Sequence, residues 1–147
     1  MGLDGLDVLD LKFMYILDAL QHLTLEYCRM VDLVDLSCHS SLCSVHLRSM
    51  SNLTSITTVL LLPLVHTVTI SYCPTLDFGP IGRAIALKRF SITCCARVSN
   101  LEFLYSAMLD YLSVGLLIGT NKTEMLKEIE NLEEKNTIVN NYQNRYY

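Results

Sequence analysis

Apolar residues recur along this chain at the spacing apolar-x-x-apolar-x-apolar, five times and in register. The runs are LQHLTL from Leu20, LCSVHL from Leu42, VHTVTI from Val65, LKRFSI from Leu87 and LDYLSV from Leu109. Their starts lie 22, 23, 22 and 22 residues apart. Within each run the apolar residues alternate with polar ones, the period-2 mark of a short strand that buries one face. A repeat of this length is one supersecondary unit, and it covers its apolar edge only against its neighbours. The pattern therefore predicts parallel strands, one per unit, stacked side by side at about 4.7–4.9 Å.

Counting the first residue of each run as position 1, position 9 holds Cys28, Met50, Cys73, Cys95 and Leu117. A small side chain there turns inward, and a thiol serves as a small hydrophobe with a weak donor. Position 12 is apolar in four units (Val31, Leu53, Leu76 and Val98). Another apolar residue follows near position 15 (Val34, Ile56, Phe78 and Leu101), and these eight residues are expected in the core. Pro63 and the Gly79-Pro80 pair interrupt any long helix in this half of the unit. Turns, 3₁₀ pieces and one or two short helices are expected instead.

The ends depart from the repeat. Residues 1–19 are expected to form an N-terminal cap or an irregular first repeat, with LDVLDL from Leu6 as its nearest match to the pattern. Residues 20–117 hold the repeats. Residues 118–147 are expected to form a helical cap and a frayed tail. Asn121 with Glu124 makes a capping-box pattern, and Met125, Ile129 and Leu132 form a helical stripe behind it. That stripe is read as folding over the last repeat; the alternative is pairing with another chain.

Composition narrows the classes. At 147 residues the chain is one domain, and its 51% apolar content fits one continuous core. The most apolar stretch, residues 56–70, is broken by Pro63 and His66 and is shorter than a spanning helix needs. No membrane segment is expected. Residues 1–11 carry acids and no base, the wrong charge for a secretory signal. Three of the six cysteines fall at position 9, so the thiols read as reduced and the compartment as cytoplasmic. Charge is uneven. Residues 37–100 hold five bases and one acid, whereas the flanking segments hold seven acids each. Five bases without a cluster argue against nucleic acid, and a basic patch facing an acidic partner is the sharper reading.

With these residues in view, the chain resembles a leucine-rich repeat protein, whose pattern is L-x-x-L-x-L-x-x-N/C-x-L. The resemblance covers residues 20 to 116. The sequence departs by one residue, since its next apolar residue is at position 12, not 11. The Cys73-to-Leu76 spacing is similar to the cysteine-containing repeats of F-box-type adaptors. The repeat length is nearer that of phosphatase-regulator and internalin-like proteins. The resemblance implies an α/β fold: a right-handed leucine-rich-repeat solenoid with one short parallel strand per repeat, here with a C-terminal helix. It implies a protein–protein interaction module that binds a protein partner on its concave face.

Positions 3, 5, 7 and 8 would lie on that face. Tyr and Arg dominate binding hot spots. The expected contacts are Tyr27, Glu26, His46, Arg48, Tyr72 and Arg89. Two other readings stand beside this one. The array could be structural, forming a homodimer through its ends or its C-terminal helix. It could also be the substrate-recognition part of an F-box-like ubiquitin ligase adaptor, in which case so abrupt a start marks a fragment. No catalytic residues are expected: Ser44 or Ser91 with His46 lacks an orienting acid. No metal is expected either, because Cys38, His39, Cys43 and His46 would lie partly in a loop and partly on a strand. No cofactor motif occurs.

Overall fold

The computed structural model describes residues 1–4, 11–78, 84, 86–100, 103–115 and 138–141. It is an α/β arrangement built on a parallel sheet, with few and short helices among the described residues. Among the described residues the main sheet has seven strands. They are β1 (Gly2–Asp4), β2 (His22–Glu26), β3 (Ser44–Arg48), β4 (Thr67–Ser71), β6 (Arg89–Thr93), β8 (Tyr111–Gly115) and β9 (Ile138–Asn141), each beside the next. A second sheet pairs β5 (Thr75–Asp77) with β7 (Arg97–Ser99).

Register in the main sheet follows the repeat. His22 opposes Ser44, Ser44 opposes Thr67, Thr67 opposes Arg89 and Arg89 opposes Tyr111. Each is position 3 of its unit. The alternation within each strand then sends positions 4 and 6 to one side. Leu23 and Leu25, Val45 and Leu47, Val68 and Ile70, Phe90 and Ile92, and Leu112 and Val114 are all buried. Each such side chain contributes about 1.5–3 kcal/mol on burial. A slip of one residue would expose the whole row.

Just after β2, β3, β4 and β6 the chain turns inward by the same device. Tyr27, Ser49, Tyr72 and Cys94, all at position 8, have φ of 54°, 52°, 56° and 54°. Their amides continue the ladder, donating to the carbonyls of Arg48, Ser71, Thr93 and Gly115. The left-handed turn costs a non-glycine residue about 1–2 kcal/mol. It delivers position 9 to the core, where Cys28, Met50, Cys73 and Cys95 are buried. The thiols of Cys28, Cys73 and Cys95 donate to the carbonyls of Glu26, Ser71 and Thr93, at 3.3, 3.6 and 3.4 Å. The Cys73 pKa is lowered by its hydrogen bond with Cys95, while that bond and burial push Cys95 up.

The other half of each unit varies. It is a 3₁₀ turn at Lys12–Ile16 and again at Val34–Cys38, a single helical turn α1 (Thr57–Leu60), the strands β5 and β7, and a second helical turn α2 (Phe103–Ser106). Helix α1 is rich in β-branched residues and stops ahead of Pro63, which explains its length. Phe78, Phe90 and Phe103 fill the core here, with ring centroids 5.3–5.8 Å apart.

One expectation is corrected, and two segments outside the five runs add a strand each. Val31 and Val34 are exposed (55% and 57%), and Met30, Leu33 and Leu36 take the core places. The unit from Leu20 is one residue shorter than the unit from Leu42, and the missing residue falls between positions 9 and 12. The N-terminus contributes a strand at Gly2–Asp4, with Gly2 opposite Thr24 at the same offset of 22. The frayed tail contains β9, whose Ile138 opposes Tyr111. Ile138 and Val139 are good strand formers, and the outer edge of β8 offers them a ladder. Most of LDVLDL and the whole Met125–Leu132 stripe lie outside the described residues. No helix among the described residues is long and apolar enough to cross a membrane.

Candidate partner-binding face

Positions 3, 5 and 7 point away from the core on every strand from β2 to β8, as the alternation requires. This side of the sheet carries His22, Thr24 and Glu26 on β2, and Ser44, His46 and Arg48 on β3. It continues with Thr67, Thr69 and Ser71, then Arg89, Ser91 and Thr93, and ends on Tyr111, Ser113 and Gly115. Most of these side chains are exposed or half-buried; Ser44 and Ser113 are buried. Parallel sheets are usually covered on both faces. Here the second face is hydroxyls, histidines and arginines open to water.

The structure brings the six expected contacts to one side of the sheet. Glu26 and Arg48 are register partners at the ends of β2 and β3. Tyr27 and Tyr72 follow β2 and β4 in their left-handed turns and remain 54% exposed each. The Arg48 guanidinium lies over the Tyr72 ring, 5.8 Å from its centroid. Arg89 does the same over Tyr111 at 5.7 Å. Such stacks contribute about 0.5–1 kcal/mol at exposed sites and hold the guanidinium against the sheet. His46 is exposed on β3 between Ser44 and Arg48.

The sequence reading had not singled out the residues around Arg89. Thr67, Thr69, Arg89, Ser91 and Tyr111 line an open hollow of about 310 Å³, floored by Val68 and Phe90. The signal was present: Arg89 and Tyr111 both occupy position 3, in adjacent units. The small Thr and Ser residues at the neighbouring positions leave the space between them.

Two chemical readings meet the geometry differently. Ser44 bonds His22, with Nδ1 and Oγ 2.7 Å apart. The four candidate ligands Cys38, His39, Cys43 and His46 are dispersed. Cys38 is exposed on a 3₁₀ turn, His39 is buried, Cys43 is half-buried and His46 is on the open face. Among the described residues no three His, Cys, Asp or Glu side chains come together to hold a metal.

No family model, curated protein or solved structure matches this chain.

Proposed function

We propose that the chain is a right-handed leucine-rich-repeat solenoid whose open face, concave in such a solenoid, binds a protein partner. The observation that carries this reading is a side of the parallel sheet whose described residues are mostly exposed or half-buried, lined with Tyr, Arg and hydroxyl residues at matched positions of successive strands. The repeat register, the recurring left-handed residue at position 8 and the buried small residue at position 9 support the solenoid. Glu26, Tyr27, His46, Arg48, Tyr72 and Arg89 are the proposed contacts, and the chemistry needs no cofactor. Thiols used as core residues at 28, 73 and 95 fit a reducing, cytoplasmic compartment.

The test is a triple variant, Tyr27→Asn, Arg48→Gln and Tyr72→Asn. Asparagine tolerates the left-handed turn, so the fold is expected to survive. Partners captured by the unmodified chain should be lost, with the circular dichroism spectrum and melting temperature retained. Capture of every partner by the folded triple variant would falsify this reading.

One observation favours association between copies as a second reading. A hollow of about 540 Å³ lies beside the N-terminus, lined by Met1, Ile16, Leu17, Asp18, Ala19 and Leu20, with Ile16 largely exposed. Light scattering over a range of concentrations separates the two. A constant monomer mass supports the face as the interface, and a rising mass supports the end.

A further inference from the structure

From β3 to β8 the fixed charges at outward positions of the open face are of one sign. The outward positions of β3, β4, β6 and β8 carry Arg48, Arg89 and His46 and no carboxylate. The acids on adjoining described residues are Glu26, the register partner of Arg48 on β2, and Asp110, whose amide donates to the Lys88 carbonyl just before β8. Arg48 leans away from Glu26, toward β4 and Tyr72. Arg89 leans in the same direction, toward β8 and Tyr111. A guanidinium lying on a ring keeps its N–H edge for a planar acceptor such as a carboxylate. Beside Arg89 the hydroxyls of Thr69 and Ser91 line the hollow, and each supplies one further donor, while that of Thr67 is bonded to His66 Nδ1 at 2.9 Å. The surrounding sequence agrees, since residues 37–100 hold five bases and one acid.

We propose that this face takes an extended, carboxylate-rich segment of the protein partner. One acidic side chain sits in the hollow beside Arg89, and a second meets Arg48. The inference rests on the partner-binding reading above and adds the chemistry of the partner. Arg48 and Arg89 are two strands apart and at opposite ends of their strands, a separation of roughly 16 Å from strand spacing and rise. An extended segment covers that distance in about five residues.

The test uses the full chain and a fluorescein-labelled octaglutamate peptide, read by fluorescence anisotropy at physiological salt. A glycine–serine octamer and an oligothymidylate of equal length are the comparisons. Arg89→Glu and Arg48→Glu remove the proposed contacts. Arg97→Glu makes the same charge change on β7, in the second sheet, where the side chain is exposed. Octaglutamate is expected to bind at least about tenfold tighter than the neutral octamer. Each face variant should weaken it about tenfold, and Arg97→Glu less than about twofold. Arg89→Gln should act in the same direction to a smaller extent, which keeps the test open if the charge reversal unfolds the chain.

Equal binding of the acidic and neutral peptides overturns the proposal. So does an equal loss in Arg97→Glu, which would mean unspecific charge, or a preference for the oligothymidylate. The two levels separate cleanly. If the triple variant loses its partner while octaglutamate binds no better than the neutral peptide, the face is an interface and the acidic chemistry falls. If the triple variant keeps every partner, the partner-binding reading itself falls, and with it the assignment of carboxylates to a partner.

Discussion

The strand half and the far half of each unit obey different rules. On the strand half, position 3 opposes position 3 from β2 to β8 without a break, even though one unit is a residue longer than the others. On the far half, successive units form a 3₁₀ turn, a 3₁₀ turn, a helical turn, a strand, and a strand followed by a helical turn. The extra residue of the unit from Leu42 is absorbed there. Backbone hydrogen bonding explains the difference. A ladder has a fixed period and a face, so one slip inverts every side chain. A connecting segment needs only an apolar residue of suitable reach, and its backbone can be satisfied locally in several ways. Function is proposed on the half that cannot slip, because there the spacing of outward side chains is set by the ladder.

The most severe way to break this comparison is to insert one residue. A glycine inserted between Thr69 and Ile70, inside β4, should abolish cooperative unfolding or cost more than about 4 kcal/mol, because it exposes the buried row. The same insertion between Ser51 and Asn52, an exposed turn of the far half, should cost about 1 kcal/mol or less. Urea denaturation reads both. Equal damage would mean that the two halves are equally constrained.

Next in size is the aromatic trio where the halves meet. Phe90→Ala should destabilise by about 3–5 kcal/mol, since it removes a fully buried ring that meets both Phe78 and Phe103. Phe90→Leu should recover most of that loss in a melting experiment.

The left-handed turn gives a smaller effect. Tyr72→Gly relieves about 1–2 kcal/mol of strain and loses about 0.5–1 kcal/mol to chain entropy, so stability should stay within about 1 kcal/mol of the unmodified protein. Thr69→Gly, in regular strand, has no strain to relieve and should be the more destabilising of the two. The reverse order in denaturation midpoints would contradict the role given to position 8.

The smallest effect is on reactivity, with no change in stability. Brief alkylation of the native chain should label exposed Cys38 first, Cys43 and Cys94 more slowly, and buried Cys28, Cys73 and Cys95 only on unfolding. Mass spectrometry of the digested chain reads the order.

These differences also explain what was legible in the sequence. The strands β2, β3, β4, β6 and β8, their registers and the outward residues followed from alternation and a constant period. The inward place of Cys28, Cys73 and Cys95 followed from the same count. Val31 and Val34 were misplaced because the unit from Leu20 is short by one residue between positions 9 and 12, whereas the units from Val65 and Leu87, of the same length, keep position 12 buried. The strand at Gly2–Asp4 was missed because only three residues pair, too few for a periodic signal. The strand at Ile138–Asn141 was missed because β8 and β9 are offset by 27 residues, outside the repeat. On the face, Arg48 and Tyr72 were legible as residue types. The hollow beside Arg89 was not, since it depends on small residues of β4 and β6 and on Tyr111 of β8 taken together.

Tyrosine itself supplies the most direct test of the central claim. Tyr15 lies on the first 3₁₀ turn of the far half at 51% exposure, and Tyr27 and Tyr72 flank the open face at 54% each. Hydroxyl-radical footprinting of the chain, alone and with its captured partner, compares three rings of matched exposure in one sample. The account predicts that the partner protects Tyr27 and Tyr72 and leaves Tyr15 unchanged. Protection of Tyr15 with Tyr27 and Tyr72 still fully reactive would place the interface on the far half and contradict it.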